Sequence, residues 1–239
     1  MDLPEQTLIS NYKSVQRRIA NACEKAHRDP NEVQLLAVSK THPIDDIQAL
    51  MKQGQRSFGE NYVQEINKKY ESLGDTVDWQ MIGHLQRNKV RYLIDKVSII
   101  HSVDTVRLAQ QIDKEAAKHD TAVDVLMEIN IAQEESKWGF SEAEAIDAAQ
   151  EIAQFPHVHL KGIMTSAPIT EDPEANRPYF KGMKQLAQRI DAAHIPGVEM
   201  NALSMGMTKD FEVAVEEGAT IVRIGTAIFG ARHYANKDK

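Results

Sequence analysis

The chain has 239 residues, 42% of them hydrophobic and 26% charged, with a net charge of -7. That is the make-up of a globular protein able to bury a full core without staples. Scattered basic residues argue against a non-specific nucleic-acid binder, which needs a positive face. A single cysteine, Cys23, leaves neither an intrachain disulfide nor a cysteine-based metal site.

Residues 5–28 place Leu8, Tyr12, Val15, Ile19, Cys23 and Ala26 at spacings of three and four. This predicts an amphipathic helix with one stripe facing a core, so residues 1–30 read as an N-terminal helix packed on the rest. Beyond Asp29-Pro30-Asn31, short apolar runs alternate with helical stretches. Strands are predicted at Val33–Lys40, Arg56–Asn61, Asp78–Gly83, Ser98–Val103, Val123–Asn130, Val158–Ser166, Val198–Ser204 and Thr220–Gly225. Helical patterns such as Asp104–His119 and Ser141–Phe155 separate them. Eight strands, each followed by helical sequence, imply a parallel sheet. Closure into a single (β/α)8 barrel is the economical reading, with an open doubly wound sheet as the alternative. No Pro/Gly/Ser-rich linker divides the sequence, so residues 1–239 are expected to form one domain. With no signal-type N-terminus and no membrane-length apolar run, a cytoplasmic location is expected.

In such barrels the reacting groups gather at the carboxyl ends of the strands. Here those ends carry Ser39-Lys40, Gly59-Glu60-Asn61, Gly83-His84, His101-Ser102, Asn130, Thr165-Ser166, "LSMGMTKD" and "VRIGTAIFG". The last two lie where barrels often bind phosphate. Gly225-Thr226 would bring backbone close to a bound group, and Ser204 and Gly206 would add a hydroxyl and amides. The plain alternative is that these glycines only make turns and that Ser204 or Thr226 only caps a helix. Arg223, set between Val222 and Ile224, should lie inside the barrel mouth. It must find acceptors there, either in an ion pair with Glu60 or Glu128 or on a ligand atom.

Lys40 closes the run "LLAVSK". An amine at an apolar rim beside an arginine should have a depressed pKa, and the neutral amine attacks carbonyls to form a Schiff base. The alternative is a lysine that snorkels to solvent. A Schiff-base lysine, a phosphate cup and a buried arginine suit pyridoxal 5′-phosphate, or a class I aldolase acting on a sugar phosphate. The nine histidines show no HExxH pairing, and GxGxxG and GxxxxGK[ST] are absent, so no metal or nucleotide site is expected. Lys68-Lys69 reads as a solvated helix face.

The stretches "LLAVSKTHP", "FGENYVQE", "IGHLQRNK", "INIAQEESKWGF", "LSMGMTKDFEVAVEEGAT" and "VRIGTAIFG" occur in order over nearly the whole chain. In them the chain resembles the pyridoxal phosphate homeostasis proteins. The resemblance implies a barrel like the alanine racemase N-terminal domain, with pyridoxal phosphate on Lys40 as a Schiff base. It also implies Arg223 at the pyridine nitrogen, Ser204, Gly225 and Thr226 at the phosphate, and Asn61 and Met205 lining the site. His42 stands where many members have lysine, which puts in doubt a second lysine beside Lys40. Gln80 replaces a histidine in the usual "WHFIG" stretch, here "WQMIG". Lys137, after the fifth strand, reads as a solvated lysine near the mouth.

Arginine can only donate, so it would leave the ring nitrogen unprotonated and the electron sink weak. Only about nine residues follow the last motif, so the β-rich second domain of the racemases is not expected. The implied role is a cofactor-binding monomer, able to exchange with a dimer, that supplies pyridoxal phosphate to apo-enzymes. A weakly active amino-acid racemase is the alternative.

Overall fold

The computed structural model describes residues 3–134 and 136–230; the expectations for the first two residues, residue 135 and residues 231–239 lie outside them. Eight parallel strands close into a barrel in chain order. They are β1 (Gln34–Val38), β2 (Ser57–Glu60), β3 (Asp78–Met81), β4 (Ile99–Val103), β5 (Val123–Glu128), β6 (Val158–Met164), β7 (Val198–Ser204) and β8 (Ile221–Ile224). Every predicted strand is present, β7 with the predicted bounds and the others trimmed at one or both ends, and β1 pairs with β8 over Gln34–Ala37 and Ile221–Ile224. The open-sheet alternative is thereby excluded.

The outer layer is α1 (Glu5–Lys25), α2 (Ile44–Lys52), α3 (Val63–Leu73), α4 (Val106–Lys118), α5 (Ala145–Ile152), α6 (Arg177–Ala192), α7 (Phe211–Glu216) and α8 (Thr226–Phe229). The third unit departs from the pattern. After β3 the chain makes a 3-10 stretch, Arg87–Tyr92, where a helix would stand. No described helix is long and apolar enough to cross a membrane.

The stripe of α1 is buried as its spacing predicts, with Ala22 added and Ala26 left at the C-cap. It packs against α2, α7 and α8. Arg18 and Lys25 pair with Glu212 and Glu216, and Arg28 donates to the carbonyls of Val215 and Ala219. These contacts tie the start of the chain to its last βα units. One buried apolar core extends from α1 through the strands to α8.

Candidate functional site

Strand β1 stops at Val38, and Ser39, Lys40 and Thr41 turn outward at the barrel mouth. Thr41 takes φ +68°, a left-handed conformation that few non-glycine residues adopt. The turn is held by a group of charges behind it. Lys69 Nζ donates to the Ser39 carbonyl at 2.8 Å and to Glu60 Oε1 at 2.6 Å. Ser39 Oγ donates to the same Glu60 oxygen at 2.6 Å, and Thr41 N–H donates to Glu65 Oε2 at 2.8 Å. Lys69 is buried, so its reading as part of a solvated face is corrected. Burial pushes the Glu60 carboxyl up to about 7 against the pull of Lys69, and Glu60 Oε2 has no hydrogen-bond partner among the described residues.

Lys40 opens into a cleft of roughly 240 Å³ lined also by Val38, Asn61, Ile82, Ser166, Met207, Thr208, Arg223, Gly225 and Thr226. Five of the seven residues singled out from sequence bear on it: Lys40, Asn61, Arg223, Gly225 and Thr226. Asn61 follows β2, and its Oδ1 is sealed from solvent without a partner among the described residues. The chain at Gly83 lies so close that a Cβ there would sit 2.4 Å from the Asn61 carbonyl oxygen; glycine alone permits that approach. Thr208 Oγ1 accepts from Ala227 N–H at 3.3 Å, stitching the loop after β7 to the start of α8.

Arg223 is 4% exposed and reaches from β8 to the ends of β7 and β6. Its Nη1 donates to the Ser204 carbonyl and to Ser204 Oγ at 2.9 and 2.8 Å. Its Nη2 donates to the Thr165 carbonyl at 2.8 Å and to Ser166 Oγ at 3.3 Å. Four of the five N–H groups of the guanidinium are thereby used. Among the described residues Nε–H has no acceptor, on a side chain that lines the cleft. Burial lowers the guanidinium to about 10, opposed by Glu128 and Asp210, and it stays charged at neutral pH. The ion-pair expectation is not met: neutral oxygens hold Arg223, and Glu60 pairs with Lys69 instead. Glu128 is pushed up to about 7 by burial and by Asp104, while Arg223 pulls it down.

Two expected residues stand elsewhere. Ser204 is completely buried beneath Arg223, its hydroxyl committed to Arg223 and to His101. It does not line the cleft, and the hydroxyl facing the cleft from that loop belongs to Thr208. Met205 is packed in the core, and Met207 takes the lining position. Between them Gly206 turns the chain at φ +90°, where a Cβ would meet the Ala214 Cβ at 2.5 Å. Ser166 also lines the cleft and was legible only as a polar strand end. Lys137 is not simply solvated: it pairs with Glu134 and donates to the Ser166 carbonyl at 3.1 Å. His42 stacks on Phe229 with ring centroids 4.6 Å apart.

A larger cleft of roughly 630 Å³ lies on the same rim, around His84, Arg87, Asp104 and Trp138. There the His84 ring stacks on Trp138, and its Nδ1 lies 3.0 Å from Asp104 Oδ2. It brings no amine nucleophile, so size and chemistry point to different places; the chemistry favours the cleft at Lys40. No cluster of three or more His, Cys, Asp or Glu suited to a metal ion occurs among the described residues.

Residues 10–233 match the model of the alanine racemase N-terminal domain. A pyridoxal phosphate homeostasis protein of Aquifex aeolicus is 45% identical over 221 residues, covering 92% of this chain and 96% of its own length. The protein of the same name from Escherichia coli is 38% identical over 234 residues, covering 96% and 99%. The structure of PipY from Synechococcus elongatus with pyridoxal phosphate bound superposes with a TM-score of 0.78 at 32% identity, covering 90% of this chain and 100% of PipY. The chain belongs to the family of pyridoxal phosphate homeostasis proteins, built on the alanine racemase N-terminal domain.

Proposed function

We propose that this chain binds pyridoxal 5′-phosphate reversibly at Lys40 and acts in cofactor homeostasis as a holder and supplier rather than a catalyst. One observation carries the reading. A single cleft brings together an amine, a charged guanidinium with one open N–H, an unpartnered buried amide oxygen and two threonine hydroxyls. When bound, the cofactor supplies an aldehyde that condenses with a primary amine, and a pyridine ring that withdraws electrons most strongly when its nitrogen is protonated.

The residues present fit that group. Lys40 is the nucleophile of the cleft, in a turn fixed by Lys69, Glu60 and Glu65. In the same cleft Gly225 and Thr226 offer backbone and hydroxyl to a phosphate, and Thr208 stands in for the expected Ser204. Asn61 forms part of the cleft wall against which the ring would lie. Arg223 donates its Nε–H to the ring nitrogen and has no proton to share further, which keeps the ring a weak electron sink. That suits holding a reactive aldehyde and letting it go. Homologues named for homeostasis rather than for a reaction support the same reading.

The chain then works as a one-domain monomer in the cytoplasm, with pyridoxal phosphate as its ligand and apo-enzymes as transient recipients. No part of this role calls on nucleic acid or a membrane.

The test is to incubate the purified protein with pyridoxal phosphate, reduce with borohydride and map the modified peptide by mass. A pyridoxyl-phosphate adduct on Lys40 supports the proposal. Absence of any adduct at saturating cofactor sinks it and moves a sugar-phosphate aldolase forward. Measured amino-acid racemisation that disappears in Lys40→Ala would instead make the chain an enzyme.

A further inference from the structure

The interior of such a barrel is normally packed with branched aliphatic side chains. This one carries a file of polar groups from the cleft to the opposite end of the strands. Arg223 on β8 donates to Ser204 Oγ at the end of β7, and that oxygen lies 2.9 Å from His101 Nδ1 on β4. His101 Nε2 lies 2.9 Å from Gln80 Oε1 on β3. Gln80 Nε2 donates in turn to Asp78 Oδ2 at 2.8 Å, where β3 begins.

The protons along this file can be placed. His101 is fully buried, and burial followed by the charge of Arg223 holds it down at about 3, so it is neutral with one N–H. The amide NH2 of Gln80 is committed to the Asp78 carboxylate, which turns its oxygen toward His101. That oxygen can only accept, so the imidazole proton sits on Nε2 and Nδ1 accepts from the Ser204 hydroxyl. The lone pairs of Ser204 Oγ are then left for Arg223. Every bond in the file points the same way, and no member can reverse without orphaning a buried group.

We infer that Ser204, His101 and Gln80 are positioning residues that hold Arg223 with its open Nε–H toward the ring nitrogen of the bound cofactor. The inference rests on the reading of Arg223 as the ring-nitrogen partner. The file has something to oppose. Glu128 on β5 and Asp210 after β7 both attract the guanidinium without pairing with it. A guanidinium released from Ser204 can turn toward Glu128 and away from the ligand. Gln80, the departure from the usual "WHFIG" stretch, supplies an acceptor whose direction Asp78 fixes.

The experiment compares the dissociation constants of pyridoxal 5′-phosphate and of its 1-deaza analogue, which has a C–H in place of the ring nitrogen. In the unsubstituted protein the natural ligand should bind about tenfold or more tightly, the worth of a hydrogen bond to a charged donor. Ser204→Ala and Gln80→Leu should bring that ratio close to one, while Ser204→Thr, which keeps the hydroxyl, should preserve it. Gln80→Leu, at the far end from the cleft, keeps the test available should Ser204→Ala fail to fold. If Arg223→Leu abolishes the preference while Ser204→Ala and Gln80→Leu leave it intact, the file is only structural and the inference falls. If Arg223→Leu leaves the preference unchanged, Arg223 does not meet the ring nitrogen, and both readings fall.

Discussion

Glu60→Gln should flatten the pH dependence of stability over a definite range. Glu60 is 0% exposed, and its carboxyl titrates near 7 in the folded chain against an ordinary 4.5. Its folded pKa is raised, so its favourable contribution is complete below 4.5 and is lost as pH rises to about 7. At ~1.4 kcal/mol per unit, the shift corresponds to about 3 kcal/mol of stability lost across that interval. Lys69 does not cancel this loss, because burial is the larger influence on the carboxyl. Glutamine keeps an oxygen for Lys69 and Ser39 but cannot ionise. The assay is urea unfolding at pH 4.5 to 8 for both proteins, followed by subtraction of the two curves. Glu128 titrates in the same range and shifts in the same direction, but it is common to both proteins and drops out. Superimposable curves would refute the reasoning, since they would mean that Glu60 ionises in the folded chain as it does in water.

Lys69→Met should destabilise the protein in the same assay, by up to ~3–5 kcal/mol above pH 7 and by less below it, because the Ser39 carbonyl loses a charged donor at every pH and the Glu60 carboxylate only where it is ionised. Gly206→Ala should cost more than about 1 kcal/mol, since both the left-handed backbone and the space oppose a Cβ; thermal unfolding reads it. Arg18→Ala, by contrast, breaks a half-exposed pair and should cost at most ~1 kcal/mol. Lys40→Ala should lose the borohydride-stable adduct and the visible absorbance of the loaded protein while keeping the far-UV circular dichroism of the folded barrel.

Most strands were legible because they are apolar runs that end on polar or glycine residues, a pattern a buried parallel sheet imposes, although β2 (SFGE) and β3 (DWQM) hold no aliphatic run. The 3-10 stretch at Arg87–Tyr92 was not, since short apolar spacings there fit a helix as well. At the site, Lys40 and Arg223 betrayed themselves as charges inside apolar runs. Ser204 and Met205 misled because the loop turns sharply at Gly206, so strand alternation no longer says which side chain faces the cleft. Lys69 carried an unread signal. It shares a helical face with Ile66 and Leu73, both buried, whereas Lys68 beside it is exposed. The hydroxyl–imidazole–amide file could not be seen at all, because its members come from four strands and meet only across the barrel.

The pairing of β1 with β8 sets Leu36 beside Arg223, so the two charged groups of the cleft come from opposite ends of the chain. During synthesis the ribosome must release nearly all of it before Lys40 can face Arg223. The long loop is closed once, late, and by the same step that seals the barrel. A nascent or prematurely terminated chain lacking β8 would carry Lys40 without the residues that β8 and its loop bring to the cleft. Possession of the assembled cleft is therefore a report that translation ran to the last strand, a check on completeness built into the order of the strands.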